Sequence, residues 1–255
     1  MTIHFSVDDF IDALLELKEN YDSIFEQTTF AKLKKLHNTY GARFSLYCFY
    51  RNENGNLSQV TDKFAKEFSQ NAHWLKFGFH GISKESNYGS RIFITNEYID
   101  DYDKAKSDYK QVIDELIRIT GGNECIDRVP RIHYYAGTEA DCLAWKEAAF
   151  GITGLVSAED SRICYYHSED ESKMLSENGI FQDKKRGLNF YRTSIRLENV
   201  TDKTELLNLL NENVGKEFFL IFTHEQFLER ADILDYFAES ADILLKKGYE
   251  FKDLF

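Results

Sequence analysis

Four apolar runs in this chain carry an acid or a histidine at or near their C-terminal ends. They are Ile3-His4-Phe5-Ser6-Val7 before Asp8-Asp9, Leu75-Lys76-Phe77-Gly78-Phe79 before His80, Arg131-Ile132-His133-Tyr134-Tyr135, and Phe218-Phe219-Leu220-Ile221-Phe222-Thr223 before His224. Each has the length and the β-branched or aromatic content of a strand. Longer segments lie between them, with apolar residues recurring every three or four positions, as in Tyr102, Ala105, Tyr109, Val112, Ile113 and Leu116. Strand–helix alternation predicts parallel strands joined by right-handed crossovers, with function gathered at the C-terminal edge of the strands.

The spacing places strands at about 2–7, 43–50, 74–80, 129–135, 153–157, 188–197 and 217–223. Helical spacing covers 9–20, 29–39, 58–70, 101–120, 138–150, 202–213 and 225–247. About seven strands suit a closed or nearly closed α/β barrel. The polar stretch 158–187 breaks the rhythm and reads as a small insertion between strands 5 and 6, with a hairpin around Arg162-Ile163-Cys164-Tyr165-Tyr166. With one proline, Pro130, and no linker-like segment, residues 1–255 are expected to form a single domain.

A net charge of −12 argues against nonspecific binding to nucleic acid or to an anionic membrane surface. No basic segment precedes an apolar leader, and no apolar run approaches the length of a membrane span. Cys48, Cys125, Cys142 and Cys164 are scattered, which fits a reducing compartment and a cytoplasmic protein.

The pair Asp8-Asp9 suits two roles, a helix N-cap or a carboxylate pair in which one member binds a divalent metal and the other accepts a proton from water. His80, flanked by glycines Gly78 and Gly81, suits metal ligation or a satisfied strand-end hydrogen bond. Arg131 and His133 fall on one face of the expected strand, where arginine can anchor a carboxylate and histidine can ligate or touch substrate. His224 can protonate a leaving group, while Thr223 and Glu225 can orient it or cap the following helix. His4, His37, His73 and His167 are weaker candidates. The sequence contains no H-E-x-x-H, G-x-S-x-G, P-loop or dinucleotide fingerprint.

With these residues in view, the chain resembles the polysaccharide deacetylase (NodB-homology) family of carbohydrate esterases, as a divergent member. The family's T-F-D-D-G-like motif reads here Ser6-Val7-Asp8-Asp9-Phe10. Its H-S/T-x-x-H motif reads His80-Gly81-Ile82-Ser83-Lys84, its R-x-P-Y motif Arg131-Ile132-His133-Tyr134, and its L-x-H motif Phe222-Thr223-His224. The order is kept over nearly the whole chain. The resemblance implies a distorted seven-stranded (β/α) barrel. It implies Asp8 as general base held by Arg131, His224 as general acid, and Asp9 and His80 as metal ligands. It also implies hydrolysis of an N- or O-acetyl group by metal-activated water. The family's second metal histidine falls at Lys84, which cannot ligate. Three readings stay open: Glu85 or His133 supplies the donor, fewer protein groups hold the metal, or none binds.

The expected function is therefore a metal-dependent hydrolase, zinc being the expected metal, that removes an acetyl group from a carbohydrate or small related amide. Tyr134, Glu225 and Lys84 are the candidate substrate contacts. The alternatives are a non-catalytic barrel that binds a carbohydrate or metabolite, for which Lys84 speaks, and a glycosidase pairing Asp8 with Glu225 or Glu139.

Overall fold

The computed structural model describes residues 1–89, 97–98 and 101–254. In chain order, its two main sheets use β1 (Thr2–Phe10), β2 (Phe44–Phe49), β3 (Leu75–Gly81), β4 (Gly154–Ser157), β5 (Ile180–Asp183), β6 (Leu188–Arg192), β7 (Ile195–Arg196), β8 (Phe218–His224) and β9 (Glu250–Phe251). The first sheet runs β7-β8-β1-β2-β3, with β9 also pairing β1, and every pairing in it is parallel. The second runs β4-β6-β5, with β5 antiparallel. β1 and β2 are buried along almost their whole length, which explains their near-continuous apolar sequence: both faces are covered.

The two sheets meet at both edges. On one side Thr193 N–H donates to Ser157 O (3.0 Å) and Ser194 N–H to Leu220 O (2.8 Å), as the chain steps from β6 to β7. On the other, Asp127 N–H donates to Phe77 O (2.8 Å) and Val156 N–H to Pro130 O (2.9 Å). Residues 126–130 thus bridge β3 and β4 without forming a strand. The strand expected over 129–135 is absent, and His133–Tyr135 forms a 3₁₀ turn with Tyr134 and Tyr135 in the left-handed region (φ 58° and 54°). Pro130 lacks the N–H a ladder needs, so the alternating pattern there does not propagate.

Outside the sheets pack α1 (Asp12–Leu15), α2 (Thr28–Tyr40), α3 (Ala65–Asn71), α4 (Tyr102–Thr120), α5 (Glu139–Lys146), α6 (Glu169–Asn178), α7 (Lys203–Asn213) and α8 (Ala231–Lys246). The longest, α4, starts where the Asp101 carboxylate accepts from Asp103 and Lys104 N–H, and stops at Gly121 in the left-handed conformation. α8 buries Ile233, Phe237, Ala241 and Leu244 at helical spacing. The Phe237 ring meets Phe5 at 4.8 Å and Phe44 at 5.7 Å between centroids, fixing α8 across β1 and β2.

The helix expected over 9–20 shrinks to α1, because β1 continues through Asp9 to Phe10. The stretch 158–187 holds α6 and β5. No hairpin forms at 162–166, where Tyr165 turns at φ 53°.

Candidate active site

Because β1, β3 and β8 run parallel, their C-terminal ends open at one mouth. The β1–β2 register shifts between Val7 and Phe10, and Asp9 sits at φ 57°. Successive strand side chains would point to opposite faces. The irregularity at Asp9 breaks that alternation, so both carboxylates serve one site, at a strain cost of about 1–3 kcal/mol. Asp tolerates this conformation better than most residues.

Asp8 is buried and accepts a hydrogen bond from Arg131 Nη1 at 2.7 Å. Arg131 directly follows the irregular bridge and lies in no strand. It also donates to Ser6 Oγ and Thr193 Oγ1, both at 3.0 Å, and its guanidinium lies 3.8 Å from the Phe222 ring centroid. Three partners and an aromatic face hold it in one orientation.

The Asp9 carboxylate faces His80 Nε2 at 3.1 Å. His80 Nδ1 donates to the Arg131 carbonyl at 2.6 Å. A neutral ring with its proton on Nδ1 turns the Nε2 lone pair toward Asp9, and two facing lone pairs call for a proton or a cation between them. His133 closes the group: Asp9, His80 and His133 each offer a ligand atom, all within 4.8 Å of one another. His133 Nδ1 is buried with no hydrogen-bond partner among the described residues. Burial above all pushes the His133 ring down to about 3, leaving it neutral and able to coordinate. Burial would raise Asp9, but its hydrogen bond to His80 and the nearby His224 outweigh it, so its carboxyl lies well below the usual range. One carboxylate and two imidazole nitrogens fit a divalent cation such as zinc.

On the opposite wall, His224 Nδ1 donates to Glu198 Oε1 at 2.5 Å, and Arg196 Nε donates to the same oxygen at 2.7 Å. Burial lowers the His224 pKa, yet the Glu198 hydrogen bond and the charges of Asp8 and Asp9 raise it on balance. Burial raises Glu198, and the His224 contact reverses this and brings it to about 2. Asp8, His80, Arg131, His133, Tyr134 and His224 line a cleft of about 300 Å³.

Asp8, Asp9, His80, Arg131, His133, Tyr134 and His224 therefore converge. Four other candidates do not. Glu85 is exposed and lies outside the ligand cluster. Lys84 is exposed and pairs with Glu53 at 2.9 Å. Glu225 turns its carboxylate onto the backbone N–H groups of Ile11, Asp12 and Ala13. Glu139 pairs with Arg186 away from the cleft, so neither partner offered for a glycosidase reaches Asp8. Three contributors escape sequence reasoning: Ser6, Thr193 and Glu198. Glu198 had a signal, since Arg196 and Glu198 alternate after a strand in the manner of residues on one face.

No family model matches the sequence, and no curated protein matches it. Solved structures do match in fold. A family 4 acetyl xylan esterase from Clostridium thermocellum, in complex with cobalt, superposes with a TM-score of 0.57 at 11% identity, over 99% of this chain and 87% of that one. A T48 deacetylase with substrate gives 0.53 at 9% identity, over 98% and 87%. The Xyl-CE4 domain of a multidomain xylanase from the hindgut metagenome of Trinervitermes trinervoides gives 0.52 at 9%, over 98% and 86%. The chain thus shares the fold of these family 4 carbohydrate esterases, the fold expected from the motifs. At these identities the likeness is one of architecture.

Proposed function

We propose that this protein is a metal-dependent hydrolase that removes an acetyl group, N- or O-linked, from a carbohydrate or a related small amide. The observation that carries this reading is the Asp9–His80–His133 cluster, set between the Arg131–Asp8 pair and the Glu198–His224 pair. Asp9, His80 and His133 would hold the cation. Bound there, a divalent metal such as zinc supplies Lewis-acid polarisation and water activation at neutral pH.

The chain's own groups do the rest. Asp8, fixed by Arg131, takes a proton from the attacking water as its oxygen bonds to the acetyl carbon. His224, held in one tautomer by Glu198, gives its proton to the departing nitrogen or oxygen as the bond to carbon breaks. Glu198 balances the imidazolium before the transfer and sheds little hydrogen-bond geometry after it. Tyr134, whose ring lies 3.9 Å from that of His133, offers an aromatic face to a sugar ring.

The small cleft supports a small substrate over a broad polymer surface. Hydrogen bonds at both sheet edges support one distorted barrel with seven strand positions, the fourth being the irregular bridge 126–130, and residues 158–187 as an insertion in a single domain. Four buried free cysteines support a cytoplasmic setting; among the described residues no helix is long and apolar enough to cross a membrane. The non-catalytic reading drew on Lys84, and His133 offers the donor that Lys84 lacks.

Acetate release from N- and O-acetylated sugars, with and without added zinc, cobalt or manganese, tests the proposal. The expected result is metal-stimulated release that Asp8→Asn lowers by about 10²–10⁴-fold. Metal below about a tenth of an equivalent, with no stimulated release, would sink it.

A further inference from the structure

Glu225 directly follows His224 yet faces away from the cleft. Its Oε2 accepts from the N–H groups of Ile11 (2.8 Å) and Asp12 (2.9 Å), and its Oε1 from Ala13 N–H (2.7 Å). The residue is 9% exposed. These donors belong to the turn that leaves Asp8-Asp9. They open α1, a four-residue helix whose N-cap position, Ile11, supplies no side-chain cap. A helix this short has no stability of its own.

The ladders explain why this contact matters. The β1–β8 register ends at Asp8 opposite His224. The β1–β2 register lapses after Val7 and resumes only at Phe10 with Cys48. Asp9 therefore sits in a gap, past the end of one ladder and inside the break of the other. Phe10–Cys48 secures one side of the segment that follows it. On the β8 side, Glu225 is the side chain that secures it, from the residue next to His224.

We infer that Glu225 is a positioning residue: its carboxylate clamps the segment after Asp9 to the segment after His224 and so sets the metal-binding carboxylate relative to the acid. The clamp itself is independent of the proposed chemistry, while its consequence for catalysis rests on that reading. Backbone displacements of about 1 Å cost on the order of 10²-fold in rate, and loss of groups that orient ligands costs roughly 10–100-fold in metal affinity.

Full-length Glu225→Gln and Glu225→Asp test this by three measurements: amide hydrogen exchange at Ile11–Ala13, cobalt affinity by titration, and kcat and KM on the best acetylated substrate. In Glu225→Gln, exchange speeds up at those amides, cobalt affinity falls about tenfold or more, and kcat falls while KM stays within about twofold. Glu225→Asp, which keeps the charge, recovers part of each loss, and it carries the test if the glutamine variant does not fold. Unchanged exchange overturns the clamp. Faster exchange with unchanged cobalt affinity makes Glu225 a cap for α1 alone and overturns the positioning role. Wild-type protein that takes up no cobalt contradicts the functional reading and the positioning role with it, while the exchange data still report whether the clamp exists.

Discussion

Asp8 and His224 stand directly opposite each other as the last register partners of the parallel β1–β8 ladder. Two residues from the two ends of the chain are thus brought to one mouth by backbone pairing, before any side-chain contact is considered. Their proximity has an electrical consequence as well: the charges of Asp8 and Asp9 help to raise the His224 pKa against its burial.

The Arg131–Asp8 pair is almost wholly buried, with side chains 1% and 2% exposed. Removing the cation leaves an uncompensated carboxylate, which typically costs about 3–5 kcal/mol. Arg131→Met should lose roughly that much in denaturant unfolding, along with most of the activity. A loss below about 1 kcal/mol would mean that Asp8 finds another partner, or that the pair contributes little.

The Glu198–His224 pair predicts a pH response. His224 must be protonated to act as an acid, so the rate holds below its raised pKa and falls as pH rises through it. Glu198→Gln removes the charge that holds the proton, and the alkaline limb of kcat should move to lower pH. Stability follows the same signs. The contribution of His224 is complete below about pH 6.5 and fades as pH rises through the raised value. That of Glu198, lowered from 4.5 to about 2, is present above 4.5 and fades as pH falls toward 2. An alkaline limb that does not move in Glu198→Gln would remove His224 as the acid.

His133 should matter more to metal binding than its sequence context suggests. His133→Ala removes one of the three proposed ligands and should weaken cobalt or zinc binding by at least about 100-fold in a competitive titration. Lys84→Ala and Glu85→Ala, both outside the cluster, should leave affinity within about twofold. Loss of binding in Glu85→Ala would place the third donor there instead.

Packing makes a further prediction away from the site. Phe237 is fully buried against Phe5 and Phe44. Phe237→Ala should cost about 3–5 kcal/mol by leaving a cavity between α8 and the sheet, read as a lowered unfolding midpoint with an unchanged metal affinity.

Much of this arrangement was legible in the sequence, for physical reasons that can be named. β1, β2, β3 and β8 are covered on both faces, so their apolar runs are long and end cleanly at Asp8-Asp9, Phe49, His80 and His224. α4 and α8 have one-sided burial and hence a clear 3.6 period. The segment around Arg131 reads as a strand because alternation survives there without a ladder to use it. His133 reaches Asp9 from a turn in left-handed geometry, and local spacing carries no trace of that contact. Glu225 looked like a neighbour of His224 in function. In three dimensions it serves the opposite strand, because adjacent residues at a strand end point in different directions. Glu198 left only its alternation with Arg196 in the sequence, as it meets His224 only once β7 lies beside β8.

Anomalous diffraction at the zinc edge, from crystals of the protein grown with zinc and no chelator, decides whether Asp9, His80 and His133 hold a metal. One strong peak per chain is expected, with Asp9, His80 and His133 around it at about 2.0–2.2 Å. The absence of a peak between these three side chains, or a zinc held by other residues, would contradict the proposed site.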